Sequence, residues 1–219
     1  MTPLPSQSAR PDGRTLLIIG AALTVVFSTG LGAGWLLQRF DAGIGFAREA
    51  DRIAAVLELS PGKSVGDIRA GTGRWTVDMA RRVGPEGEAF ATVGPNPAHV
   101  LMETVADSGL DNITVITRTP GDTPRLPIGC CDAVLLRLVY SDLRRERPGF
   151  LQNVRRVTKP GGLVAVIDFH PDAPTAPPRD TLSRRGAIAE FTGAGFALVQ
   201  DHERWFGNTY CVVFRRDKD

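Results

Sequence analysis

The sequence predicts an α/β fold: a mostly parallel seven-stranded sheet with helices on both faces, closed by an antiparallel hairpin and preceded by one transmembrane helix. Three observations carry this. Short apolar or β-branched runs alternate with amphipathic segments along residues 41–219, and strands separated by helices pair in parallel. The last two runs, Phe196–Gln200 and Tyr210–Phe214, are near enough in sequence to form a hairpin. Ahead of all of them, Thr15–Gln38 carries no charge.

Residues 1–14 contain three prolines and few apolar side chains, and are expected to be a disordered tail. The uncharged run 15–38 spans about 36 Å as a helix, against about 30 Å of bilayer hydrocarbon. Arg14 and Arg39 bracket it, and Trp35 sits near one end, where interfacial aromatics collect. A single-pass anchor is the favoured reading, in a bacterial inner membrane. A cleaved signal peptide and a buried core helix stay open beside it. The run exceeds the usual signal-peptide core of about 7–15 residues. Gly30 and Gly34 form a GxxxG pair, which permits a homodimer through the span. Arginines flank both ends evenly, so the side on which the domain lies stays open.

Within 41–219 the expected elements run in order. A helix over Phe46–Leu59 ends at Ser60-Pro61-Gly62. A strand at Ser64–Ile68 leads into a glycine turn, and a helix over Thr76–Val83 closes at Gly84-Pro85. Then come strand Ala89–Val93, helix His99–Ala106, and strands Ile113–Thr117 and Ala133–Leu136. Helix Phe150–Val157 is expected to stop at Lys159-Pro160-Gly161-Gly162. Strand Leu163–Ile167, helix Arg184–Thr192 and the hairpin complete the set.

Composition excludes several classes. The chain has 219 residues, 26 Lys+Arg against 24 Asp+Glu, and three cysteines. That is neither a disulfide scaffold nor a disordered chain. The net charge of +2 belongs to residues before 41, and the remainder sums to zero. A nucleic-acid partner is therefore not expected. Cys130, Cys131 and Cys211 show no zinc-ligand spacing, so no metal is expected and buried thiols are the default.

The turn reads Asp67-Ile68-Arg69-Ala70-Gly71-Thr72-Gly73, between a strand and a helix. In open α/β sheets the ligand crevice lies at the carboxyl ends of such strands. With the segments around Leu57–Val93, Leu151–Pro174 and Ala194–Phe214, this resembles the class I S-adenosylmethionine-dependent methyltransferases, over about residues 46–216. The resemblance implies a Rossmann-like fold, S-adenosylmethionine as cofactor and methyl transfer to a small-molecule or otherwise unknown acceptor. It implies that Asp67 orients the methionine end of the cofactor and that Ala70, Gly71, Thr72 and Gly73 pass beneath its adenosyl part.

The sequence departs from the family pattern at Arg69, where the first motif glycine stands. It departs again at Val93, where an acid usually holds the ribose, and at Arg118, in the region where an acid often reads the adenine; Asp122 comes three residues late. Two functions therefore stay open: a working methyltransferase with an atypical cofactor site, and a non-catalytic binding or scaffold module tethered to the membrane. No catalytic residue is assigned. Tyr140, after the fourth strand, and His170, after the fifth, are candidates. For Tyr140 a boundary aromatic, and for His170 a solvated loop side chain, are the plainer alternatives. His202 and His99 receive no role. Arg144, Arg145, Arg147, Arg155 and Arg156 read as a solvated basic surface, with contact to anionic lipid headgroups as the alternative.

Overall fold

The computed structural model describes residues 45–93, 98–117, 126–172 and 181–218. The expected tail at 1–14, the span at 15–38 and Arg118 lie outside these. Among the described residues no helix is long and apolar enough to cross a membrane. The chain divides into two units, Met1–Arg48 and Glu49–Asp219. Of the first, residues 45–48 are described, and they are helical.

The second unit opens with helix α1 (49–56). Then follow β1 (Ser64–Asp67), α2 (Arg74–Val83), β2 (Glu88–Thr92), α3 (Ala98–Ser108), β3 (Ile113–Ile116) and β4 (Cys131–Arg137). A 3-10 turn (Ser141–Glu146) leads into α4 (Arg147–Val157), β5 (Thr158–Phe169), α5 (Arg184–Gly193), β6 (Phe196–His202) and β7 (Thr209–Arg216). The sheet order is β3-β2-β1-β4-β5-β7-β6. The pairs from β3 through β5 are parallel, and β7 is antiparallel to both its neighbours. The expected antiparallel hairpin closes the sheet: β7 inserts between β5 and β6, and β6 forms the edge.

Period-2 alternation sends successive side chains to opposite faces, both of which are covered. Val134, Leu136, Val164, Val166, Val212 and Phe214 pack on α4 and α5 through Phe150, Leu151, Val154, Ala187 and Phe191. Ala133, Leu135, Ala165, Ile167 and Val213 pack on α1 and α2 through Ile53, Val56, Met79 and Val83. Ser183 caps α5, its side chain accepting from the Gly186 backbone N–H at 3.1 Å.

The Lys-Pro-Gly-Gly segment does not separate α4 from the fifth strand as expected. It bulges inside β5: Cys131 faces Thr158, and two residues later Ala133 faces Leu163. A Cβ at Gly162 would stand 2.8–2.9 Å from Thr158, Lys159 and Asp132 atoms, so the bulge closes only around glycine. The 3-10 turn at 141–146 has no counterpart in the sequence expectation, because its pattern is too short to show a period.

Candidate cofactor site

β1 ends at Asp67, and the turn runs to Gly73 before α2 begins. Every second residue of it is left-handed: Arg69 at φ 57°, Gly71 at 59° and Gly73 at 82°. That conformation is natural for glycine and costs other residues roughly 1–2 kcal/mol. Arg69 therefore occupies a position with a glycine's backbone. The turn is pinned to β2, with the Arg69 N–H donating to Thr92 Oγ1 and the Ala70 N–H to the Thr92 carbonyl, each at 2.9 Å. Arg69 Nε is buried without a hydrogen-bond partner.

Gly73 begins α2 without a side-chain cap. A cap arrives instead from β1. Asp67 Oδ2 accepts from Thr76 Oγ1 at 2.6 Å, and Thr76 also bonds it through its backbone. Asp67 is 4% exposed. Burial raises its carboxyl to about 6, against the opposing pull of Thr76 and of the Arg137 charge. The carboxylate expected to orient a cofactor is thus also the anchor of a helix start.

Three further residues gather beside Asp67, and none was singled out from the sequence. Arg137, at the end of β4, makes a two-pronged pair with Glu49 of α1, both N···O distances being 3.0 Å. Its guanidinium lies 4.5 Å from the centre of the Trp75 ring on α2. The available signals were slight: an arginine closing an apolar strand, and a tryptophan two residues past the glycine turn.

Val93 follows β2 and is buried with Ala70, Ala91 and Leu101 in an apolar cluster. Among the described residues this cluster holds no carboxylate. Leu101 of α3 presses on the turn, and a Cβ at Gly73 would come within 2.4 Å of its Cδ1. Over Gly71, by contrast, nothing lies within 4 Å of a built Cβ.

The structure does not bring Tyr140 to this turn. Tyr140 is fully buried against Phe191 and Phe150, and its hydroxyl donates to Glu190 Oε2 at 2.5 Å. Burial and that carboxylate push its hydroxyl well above the ordinary value. His170 follows β5. Its Nε2 lies 2.6 Å from the Glu203 carbonyl oxygen, which can only accept, so Nε2 donates there. Its ring meets the edge of Tyr210 at 5.7 Å. Asp168 ties this corner together, accepting from the Ser141 and Phe169 backbones at 2.9 Å, and burial raises its carboxyl. His202 bonds Gln200, and His99 lies in the first turn of α3.

Asp67, the glycine turn and the strand order together form the crevice of a doubly wound sheet. Residues 67–166 match a family described as methyltransferase domain. The fold of the unit is that of S-adenosylmethionine-dependent methyltransferases. A SAM dependent methyltransferase from Aquifex aeolicus superposes with a TM-score of 0.69 at 21% identity, covering 76% of this chain and 88% of that one. The [4+2]-cyclase SpnF superposes with a TM-score of 0.64 at 13% identity over 78% of this chain and 81% of that chain. In sequence, the ubiquinone/menaquinone biosynthesis C-methyltransferase UbiE of Burkholderia cenocepacia is 32% identical over 130 residues, 59% of this chain and 52% of that protein. The chain spans about half the length of the curated relatives it matches.

Proposed function

We propose that this chain is an S-adenosylmethionine-dependent methyltransferase, anchored in a membrane by residues 15–38, that methylates a small acceptor. The observation that carries this is the turn from Asp67 to Gly73, with glycine-type backbone at alternate positions and open space above Gly71. The residues present fit the adenosyl group at this turn. At the end of β2 they offer Val93 as an apolar contact instead of an acid for the ribose hydroxyls.

When bound, S-adenosylmethionine supplies a methyl group already activated on a sulfonium, so holding the two partners in line is most of the catalysis. The backbone of Ala70 to Gly73 forms the floor of the crevice. Asp67 holds the start of α2 against β1 and offers its second oxygen to an ammonium. Arg137, fixed by Glu49 and Trp75, places its positive charge near enough to Asp67 to favour the ionised carboxylate. His170 Nδ1 is the candidate acceptor for a proton released by the methyl acceptor. A lipid-soluble ring, as the name of the Burkholderia relative suggests for that protein, is the first acceptor class to test beside a bilayer.

The second reading, a membrane-tethered binding or scaffold module, draws on Arg69 and Val93, which stand where the family pattern has a glycine and an acid. A fold hosts more than one activity. Isothermal titration of the full chain with S-adenosylmethionine and its demethylated product separates the two. Binding below millimolar is expected, and no heat at millimolar ligand would sink the enzyme. A reporter fused to the C-terminus decides the side of the membrane, and the cytoplasmic side is required for cofactor supply.

A further inference from the structure

At the start of β4, the central strand of the sheet, two adjacent thiols meet. Residues 127–130 form a turn closed by the Cys130 N–H on the Pro127 carbonyl, with Gly129 at φ 61° and Ile128 75% exposed. The turn delivers a half-buried Cys130 directly into Cys131, the first residue of β4. The two Sγ atoms are 2.7 Å apart. Cys131 is fully buried, its sulfur facing Gly66 of β1. The hydrogen bond between them holds the Cys130 thiol below its ordinary value, while that bond and burial push the Cys131 thiol up. One sulfur is thus half-buried and reachable, and the other is buried against it.

We propose that Cys130 and Cys131 form a vicinal dithiol site, reversibly oxidised by peroxides to a disulfide between neighbouring residues and able to chelate a thiophilic centre such as trivalent arsenic. In the oxidation, the Cys130 sulfur attacks one peroxide oxygen, the O–O bond breaks, and a sulfenic acid forms with release of water. The Cys131 sulfur then displaces the hydroxyl from sulfur, forming the S–S bond and releasing a second water. Two thiols and one hydrogen peroxide become one disulfide and two waters. Adjacent Cα atoms stand about 3.8 Å apart, below the usual range of about 4.4–6.8 Å across a disulfide. Such a bridge is strained and readily reduced, which suits a reversible modification and not a structural staple. Because Cys131 packs on Gly66 and pairs with Thr158, closure pulls on β1 and β5 as well as on the turn. The site stands apart from the methyl-transfer reading and survives its failure.

The test uses the full chain, reduced, treated with a tenfold excess of hydrogen peroxide, and alkylated after denaturation. Trypsin releases residues 126–137 as one peptide. That peptide is expected to lose two hydrogens, to take up no alkylating agent, and to recover two alkylation sites after dithiothreitol. Cys211, buried on β7, is expected to remain alkylatable in the same sample. In parallel, phenylarsine oxide is expected to bind once per chain, with loss of one water, and at least tenfold more weakly to Cys130→Ser. Two alkylated cysteines after peroxide, oxygen adducts in place of the disulfide, or equal arsenical binding by Cys130→Ser would each overturn the proposal.

Discussion

Glu49 and Arg137 lie 88 positions apart and form one two-pronged ion pair beside Asp67, with both N···O distances at 3.0 Å. The Glu49 side chain is 7% exposed and that of Arg137 24%. Removing one partner of such a pair leaves the other charge poorly solvated. Glu49→Gln is expected to lower stability by about 2 kcal/mol, less than for a fully buried pair because the arginine reaches solvent. Urea unfolding measures this. A midpoint unchanged within error would show that the pair is dispensable. Arg137→Lys is expected to do nearly as much harm, since an ammonium can neither match the carboxylate fork nor stack as well on Trp75.

Asp67 links stability to pH in a definite direction. Burial raises its carboxyl from 3.8 to about 6 in the folded chain. Between those values the folded chain holds a proton that the unfolded chain has lost, so stability falls as pH rises from about 4 to 6 and is level above. Asp168, also raised by burial, acts with the same sign. The Asp67 part amounts to at most about 3 kcal/mol. Asp67→Asn keeps an oxygen for Thr76, and is expected to flatten that limb and to raise stability at pH 7 by about 1–3 kcal/mol. The same substitution is expected to weaken S-adenosylmethionine binding. Opposite signs in the unfolding and titration experiments mark a functional carboxylate. Loss in both would make Asp67 merely a helix anchor.

The alternation of helix and strand was readable because strands buried on both faces are apolar throughout, while the helices between them carry charges on one side. Val134 to Leu136 and Val164 to Ile167 declare themselves in this way. The insertion of β7 between β5 and β6 was not readable, since a hairpin's sequence fixes its turn and not the neighbour it joins. The bulge at Lys159–Gly162 looked like a stop because Pro-Gly-Gly usually ends an element, whereas here it loops out inside β5, which begins at Thr158 directly after α4 ends at Val157. Within the site, Asp67 and the glycine turn were legible as a local motif. Glu49, Trp75 and Arg137 were not, because their meeting depends on α1, α2 and β4 converging at one edge. For Tyr140 the sequence left a substrate contact and a boundary aromatic open, and its ring lies among Phe150 and Phe191.

Arg69 holds a left-handed backbone without being glycine, and its Nε is buried without a hydrogen-bond partner. Arg69→Gly removes both liabilities and adds chain entropy to the unfolded state. A net gain of about 1 kcal/mol is expected in urea unfolding. Combined with Val93→Asp, it is expected to tighten S-adenosylmethionine binding in calorimetry. An unchanged affinity would show that these two positions do not border the ligand.

Gly71 and Gly73 both have positive φ, yet their surroundings differ, and this separates backbone strain from crowding. A Cβ at Gly71 meets nothing within 4 Å, whereas one at Gly73 meets Leu101 Cδ1 at 2.4 Å. Gly71→Ala is expected to cost about 1 kcal/mol, the conformational penalty alone. Gly73→Ala is expected to cost about 2–4 kcal/mol, because the buried leucine must also move. In a Leu101→Ala background the crowding disappears and only the backbone part remains, so the Gly73 increment is expected to shrink by about 1 kcal/mol or more. Equal costs for the two glycines, or an increment unaffected by Leu101→Ala, would mean that α3 does not press on the turn. The closed packing of Leu101 over Gly73 would then no longer explain why the space for a ligand lies over Gly71.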